Sequence, residues 1–338
     1  MEKYLIHDFA PSFAREPVIR LLKSGKLICS FLSGGTTEPQ NANVVLTSVS
    51  SDGGKTWTDP KVVVSHSQRG CWATEIFTET EKPFIAVHTY NTNDYRIEHY
   101  RELQTFRQFI DDDGNVIGEP VSFTSGLNGV SLRQGVVMSS GEWIFPLYWQ
   151  EVLYDFDWKY DTSDKHAGQN RYPFRCGVAI SGDNGFTFQR YGYLYEKNGL
   201  WEPNLIELEN GHIMMLMRPD DGCYLYRADS YDYGRTWTKA AVTDILNPHT
   251  KPTLFKIDDT VFLINNFSDW VGLKNRNRLQ IRSTTDGKTW KYVLNVTGDE
   301  ENFFYPHAVV DYANRVVYVA YENAKQHYLA KIGFDELF

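Results

Sequence analysis

The segment WEPNLIELENGHIMMLMRPDDG places Glu202 and Arg218 sixteen residues apart, with Asn210-Gly211 between them. An Asn-Gly pair between two runs of strand-forming residues reverses the chain. The ends of such a hairpin return to one edge of a sheet, so an acid and a base meet there. Glu202 stands between Trp201 and Pro203, an apolar setting that is odd for a merely solvated carboxylate. Further on, NRNRLQIR offers Arg276, Arg278 and Arg282 within eight residues. Guanidinium groups stay charged and present paired donors that match a carboxylate. The chemistry these residue types suit is proton transfer, with guanidiniums at hand to pair with carboxylates.

Several other chemistries are excluded. A net charge of −9 over 338 residues, with no basic stripe, argues against nucleic acid as a partner. Cys29, Cys71, Cys176 and Cys223 lie far apart and form no C-x-x-C pair, so buried reduced thiols are expected. The nine histidines are scattered, and neither His249 nor His307 belongs to a metal-ligand spacing. No metal is expected, and without a glycine-rich phosphate loop no nucleotide cofactor is implied. No stretch approaches the length of apolar residues that spans a bilayer, and the N-terminus MEKYLIHDFAPSF has no export signal. As written the chain reads as cytoplasmic, or as secreted or periplasmic if a signal has been trimmed. Its oligomeric state is left open.

The elements that must position these groups are strands. Short β-rich runs such as PVIRLLKSGKLICSFL, GVVMSSGEWIFPLYW and TLFKIDDTVFLINNF are closed by Ser24-Gly25, Asn210-Gly211 and Asp258-Asp259 turns. With 21 Tyr and 20 Phe the composition favours sheet, and no linker divides residues 1–338, so a single all-β domain is expected. SSDGGKTWTDP from Ser50 recurs as SGDNGFTFQRY from Ser181, SYDYGRTWTKA from Ser230 and STTDGKTWKYV from Ser283. The last three are spaced by 49 and 53 residues. A period near 50 with several strands per period predicts a β-propeller, and the length predicts six blades. KYLIHDF is expected to close the ring against RVVYVAYE and HYLAKI.

In Ser-x-Asp-x-Gly-x-Thr-Trp the Ser and Asp side chains can bond amides across a tight turn, and the Gly can take positive φ. Trp57, Phe188, Trp237 and Trp290 then plug the packing beside it. Four copies spread round a ring cannot converge on one substrate, so the phrase is architecture. The fourth copy is degenerate, with Thr285 where Asp is expected and Asp286 one place later.

This phrase resembles the Asp-box, or BNR repeat, of the sialidase (neuraminidase) superfamily, and the resemblance covers essentially the whole chain. It implies a six-bladed sialidase-type propeller and a retaining exo-glycosidase that removes a terminal acidic sugar, sialic acid or a related 2-keto sugar acid. Sialidases hold the substrate carboxylate with three arginines. FAREPVIRLLKSGKL resembles the first arginine segment and implies Arg15, with Arg20 as rival and Glu16 where the family has Ile. The Glu202 hairpin implies Arg218 as the second, with Arg227 as rival, and the pattern Arg-x-x-Leu implies Arg276 as the third. EENFFYPHAVV implies Tyr305 as nucleophile, with Glu202 as its base. A phenol suits this task because an anionic nucleophile would be repelled by the substrate carboxylate. Where the family has an acid Asp before the first repeat, this chain has Glu38, one methylene longer, twelve residues before Ser50. Arg133 and Gln134 are expected to meet substrate hydroxyls or an N-acyl arm, and the aromatic, acidic insertion over 151–174 is a candidate lid. The resemblance implies an acidic glycan as partner and no cofactor. A uronate-directed polysaccharide lyase and a non-catalytic acidic-glycan-binding propeller remain alternatives.

Overall fold

The computed structural model describes residues 1–91, 103–123, 127–150, 174–197, 199–220, 222–268, 276–299 and 302–338. Its strands form six antiparallel sheets, one of five strands and the rest of four. Five sheets run in chain order, beginning with Ala14–Leu21, Gly70–Phe77, Ser131–Leu132 with Val136–Val137, Leu200–Glu209 and Thr253–Ile257. The sixth begins with Phe304–Asp311 and continues through Val316–Glu322 and Gln326–Gly333. Its outer place is filled by Glu2–Asp8, which pairs antiparallel with Gln326–Gly333. The expected ring closure is therefore present, and six blades stand around one axis. Among the described residues no helix is long and apolar enough to cross a membrane.

The hydrophobic core is not central but divided among the seams. Strand alternation gives each blade two apolar faces, and each face packs on its neighbour. One cluster joins the first two blades through Val18, Ile28, Val45, Cys71 and Ile85. Another joins the fifth and sixth through Phe255, Phe262, Val317 and Val319. The other four seams are filled in the same manner. Cys29, Cys71 and Cys176 are free thiols inside these seams, whereas Cys223 is only half-buried.

The repeated phrase ties its turn down as expected. Ser50 Oγ donates to Asp52 at 2.8 Å and accepts from the Gly54 N–H at 2.9 Å. Asp52 also takes the Thr56 N–H at 3.0 Å and its hydroxyl at 2.7 Å. The copies at Ser181 and Ser230 repeat this set. The fourth begins one residue later and is one residue shorter. Thr284 supplies the hydroxyl and Asp286 takes the Lys288 and Thr289 amides at 2.7 and 2.8 Å. Each terminal aromatic lies in the seam with the preceding blade: Trp57 between sixth and first, Phe188 between second and third, Trp237 and Trp290 in the next two. The phrase is thus a staple between blades as well as a turn.

Gly54 and Gly25 separate the two demands on such a turn. Both have positive φ, 87° and 82°, but a Cβ on Gly54 would stand 2.0 Å from Leu329 Cδ2 while one on Gly25 meets nothing within 4 Å. Gly25→Ala should cost about 1 kcal/mol from backbone strain alone, and Gly54→Ala about 2–4 kcal/mol because the seam must also open. Urea unfolding of the two variants measures the difference.

Candidate active site

The innermost strand is interrupted in five of the six blades, while that of the fifth, Thr253–Ile257, runs unbroken. The ladder slips between Arg15 and Val18, Ala73 and Glu75, Trp201 and Asn204, and Phe304 and His307. The third blade's inner strand is broken in two, with Arg133 in the gap. Three of these bulges carry an X-Pro pair: Glu16-Pro17, Glu202-Pro203 and Tyr305-Pro306. A fourth pair, Lys251-Pro252, immediately precedes the fifth blade's inner strand at Thr253. Proline has no N–H for the ladder, and a bulge frees one residue from pairing and re-aims its side chain. Glu16, Glu202 and Tyr305 take φ of 53°, 44° and 52°, a region that costs an ordinary side chain about 1–3 kcal/mol. These residues, with Lys251 and Arg133, meet on the axis.

Glu202 is the hub. It is 2% exposed, and its two oxygens serve three donors. Oε2 takes Arg218, while Oε1 takes the Tyr305 hydroxyl at 3.1 Å and Arg133 Nη2 at 3.3 Å. Burial alone would raise this carboxyl. Arg218, Arg133 and Lys251 outweigh burial and hold it down at about 2. Tyr305 moves the other way: burial and the charges of Glu202 and Glu16 lift the phenol well above its ordinary range, against the pull of Arg218 and Arg276. Arg218 is buried with its guanidinium 4.1 Å from the Trp201 ring, and burial is overridden there by Glu202.

Arg15 and Arg276 complete the arginine set. Arg15 sits between Glu322, 3.2 Å from Nε, and Glu38, 3.3 Å from Nη1. Arg276 donates to the His249 carbonyl at 3.0 Å and, among the described residues, bonds no carboxylate. Burial, with Arg218 and Arg15 nearby, lowers its affinity for its proton despite Tyr305. The guanidiniums of Arg15 and Arg276 lie 5.2 and 5.8 Å from the centre of the Tyr305 ring. Glu38, whose side chain keeps 26% of its exposure, is pushed up to about 7 by burial and by Glu16, Glu322 and Glu202, against the pull of Arg15.

The rival arginines are engaged elsewhere. Arg20 pairs with Glu75 at 2.7 Å, Arg227 with Asp229 at 2.7 Å, and Arg278 with Asp299 at 2.7 Å. Arg133 lies in the floor, 5% exposed and held by Glu16 at 3.0 Å and the Tyr148 hydroxyl at 3.2 Å. Gln134 accepts from Asn204 at 3.3 Å. The insertion over 151–173 lies outside the described residues.

Three participants were not anticipated. Glu322 anchors Arg15 and also takes the Glu16 N–H at 2.8 Å. His249 accepts from Arg218 on Nδ1 at 2.8 Å and donates from Nε2 to the Asp220 carbonyl at 2.9 Å, while its own carbonyl holds Arg276. Scattered among nine histidines and outside any metal-ligand spacing, it links two guanidiniums. Lys251 is the third. The recurrent X-Pro pairs were the available signal for Lys251, and Glu322 had none, being one more Glu at the end of an apolar strand.

The Glu202 hub can be tested by unbalancing it. Arg218→Met leaves a buried carboxylate short of its main counter-charge and should cost about 3–5 kcal/mol. Adding Glu202→Gln should recover a good part of that loss in urea unfolding. Absence of recovery would assign the cost to packing over Trp201.

Comparison with known proteins places the fold. Residues 25–317 match the family described as BNR repeat-like domain. No curated protein matches the chain by sequence. Among solved structures, the Hadza microbial sialidase Hz136 superposes with a TM-score of 0.75 at 19% identity, over 96% of this chain and 66% of that one. A protein of unknown function from Dyadobacter fermentans gives 0.74 at 17% identity, over 98% and 97%. The NanB sialidase from Streptococcus pneumoniae gives 0.70 at 15%, over 99% and 70%. The chain thus spans about two thirds of the length of these sialidases, and at such identities the likeness is one of fold. With its six blades and its repeat turns, the chain belongs to the BNR repeat-like domain family and has the sialidase-type propeller fold.

Proposed function

We propose that the protein is a retaining exo-glycosidase of sialidase type that releases a terminal 2-keto sugar acid. The observation that carries this reading is the Tyr305 hydroxyl donating to Glu202 at 3.1 Å beside Arg15, Arg218 and Arg276. In this reading the three guanidiniums receive the substrate carboxylate. Its arrival neutralises part of the charge that keeps Glu202 a weak base, so the base strengthens as the nucleophile is needed. Tyr305 Oη bonds to the anomeric carbon, its proton passes to Glu202, and the glycosidic bond breaks. Glu38 gives its proton to the departing oxygen. In the second half Glu38 takes a proton from water as that water attacks the anomeric carbon, and Glu202 returns the first proton to Tyr305.

Glu38 is suited to the acid role because it is pushed up to about 7 and is still partly open to solvent for proton exchange. The acid form is required, so turnover should fall as pH rises through about 7. In Glu38→Gln that alkaline limb should vanish. Turnover of substrates with a poor leaving group should drop by about 10²–10⁴, and activated aryl glycosides should suffer less.

A panel of fluorogenic 2-keto sugar acids and uronides decides the class. Hydrolysis of one that falls at least about a hundredfold in Tyr305→Phe, with the melting curve unchanged, is the expected result. Unchanged hydrolysis in that variant removes the mechanism, and an unsaturated uronate product would assign the site to a lyase.

A further inference from the structure

Among the cations gathered around Tyr305, Lys251 differs from the rest. It is 6% exposed, and its ammonium lies 5.6 Å from the centre of the Tyr305 ring. Among the described residues no hydrogen bond or ion pair reaches that ammonium. Arg15, Arg133 and Arg218 each hold a carboxylate, and Arg276 holds a carbonyl. A lysine serving only to fill space would be replaced at no loss by a methionine.

The field at the phenol explains its place. Arg15 and Arg276 face the same ring as Lys251, but both belong to the set that a bound carboxylate would neutralise. Lys251 stands at the X-Pro pair just before the fifth blade's inner strand, and Glu16, Glu75, Arg133, Glu202 and His307 are near enough to feel its charge. Its charge persists at Tyr305 after the arginines have been neutralised. We propose that Lys251 is a positioning residue for Tyr305: an unpaired ammonium that keeps the phenol nucleophilic once an anion occupies the arginines. The proposal rests on the assignment of Tyr305 as nucleophile, and its test requires no substrate.

The test reads the phenol directly. A small aryl sulfonyl fluoride labels a tyrosine as the phenolate attacks sulfur and fluoride leaves, and peptide mass spectrometry gives the rate at Tyr305. In Lys251→Met, at saturating acetate to occupy the arginines, labelling should slow by roughly tenfold or more, the effect of one cation at this range in a partly screened interior. Lys251→Arg should restore it to within about threefold. Burial and Arg133 bring the Lys251 ammonium down to about 8, against Glu16, Glu202 and Glu75. The advantage of wild type over Lys251→Met should therefore fade as pH rises through about 8, while that of Lys251→Arg persists. Equal labelling in wild type and Lys251→Met, equal slowing in both variants, or no labelling of Tyr305 in the wild type would each overturn the proposal. Melting curves close to wild type are expected for Lys251→Met, since among the described residues no bond of the ammonium is lost. If labelling behaves as expected but no 2-keto sugar acid is turned over, the glycosidase reading fails and the role of Lys251 stands.

Discussion

A carboxylate with almost no access to water sets the terms for everything around it. Glu202 can remain ionised at 2% exposure only because Arg218, Arg133 and the Tyr305 hydroxyl converge on its two oxygens. Each of those donors comes from a different blade or a different strand, so the charge requirement of one side chain fixes the relative placement of three sheets. Buried ion pairs of this kind add little net stability, since desolvation offsets most of their attraction. Their effect is on geometry. Once Glu202 is satisfied, Tyr305 has one orientation, and Arg218 is pressed onto Trp201 and His249.

The molecule divides its sequence between two environments accordingly. The seams take the aliphatic and aromatic residues, where area removed from water stabilises the ring. The axis takes acids, bases and a phenol, and there the backbone departs from ladder geometry. Glu16, Glu202 and Tyr305 all hold positive φ at bulges. Such conformations persist only where surrounding structure over-determines them. The repeat turns, each with its aromatic in the seam, supply that rigidity from the periphery.

Much of this was readable from the residues, for a physical reason. Turn chemistry and the hydrophobic period are local, so the hairpins, the repeat spacing, the six blades and the closing strand all followed from short segments. Glu202 and Arg218 were readable because one hairpin joins them. What was not readable depends on contacts across the ring. Nothing local to Glu322 distinguishes it from other acids until Arg15 is seen against it at 3.2 Å. Arg133 was expected toward hydroxyls of a ligand, and it lies in the floor because Glu16 and Glu202 approach from other blades. The fourth repeat was read one residue out of frame, since Thr284 replaces the serine hydroxyl and the alignment of sequence favoured Ser283.

The closing strand has a further implication for how the molecule comes into being. Glu2–Asp8 is made long before its partner Gln326–Gly333. Pairings of such long sequence separation form slowly, because the entropy of drawing distant segments together must be met before any contact offsets it. During synthesis the opening segment must wait unpaired while five sheets stack beside it. Tyr305 and Glu322 emerge only with the final sheet, so a nascent chain carries arginines with no phenol and no anchor for Arg15. The candidate site is therefore complete only once the sixth sheet has formed and the circle has shut.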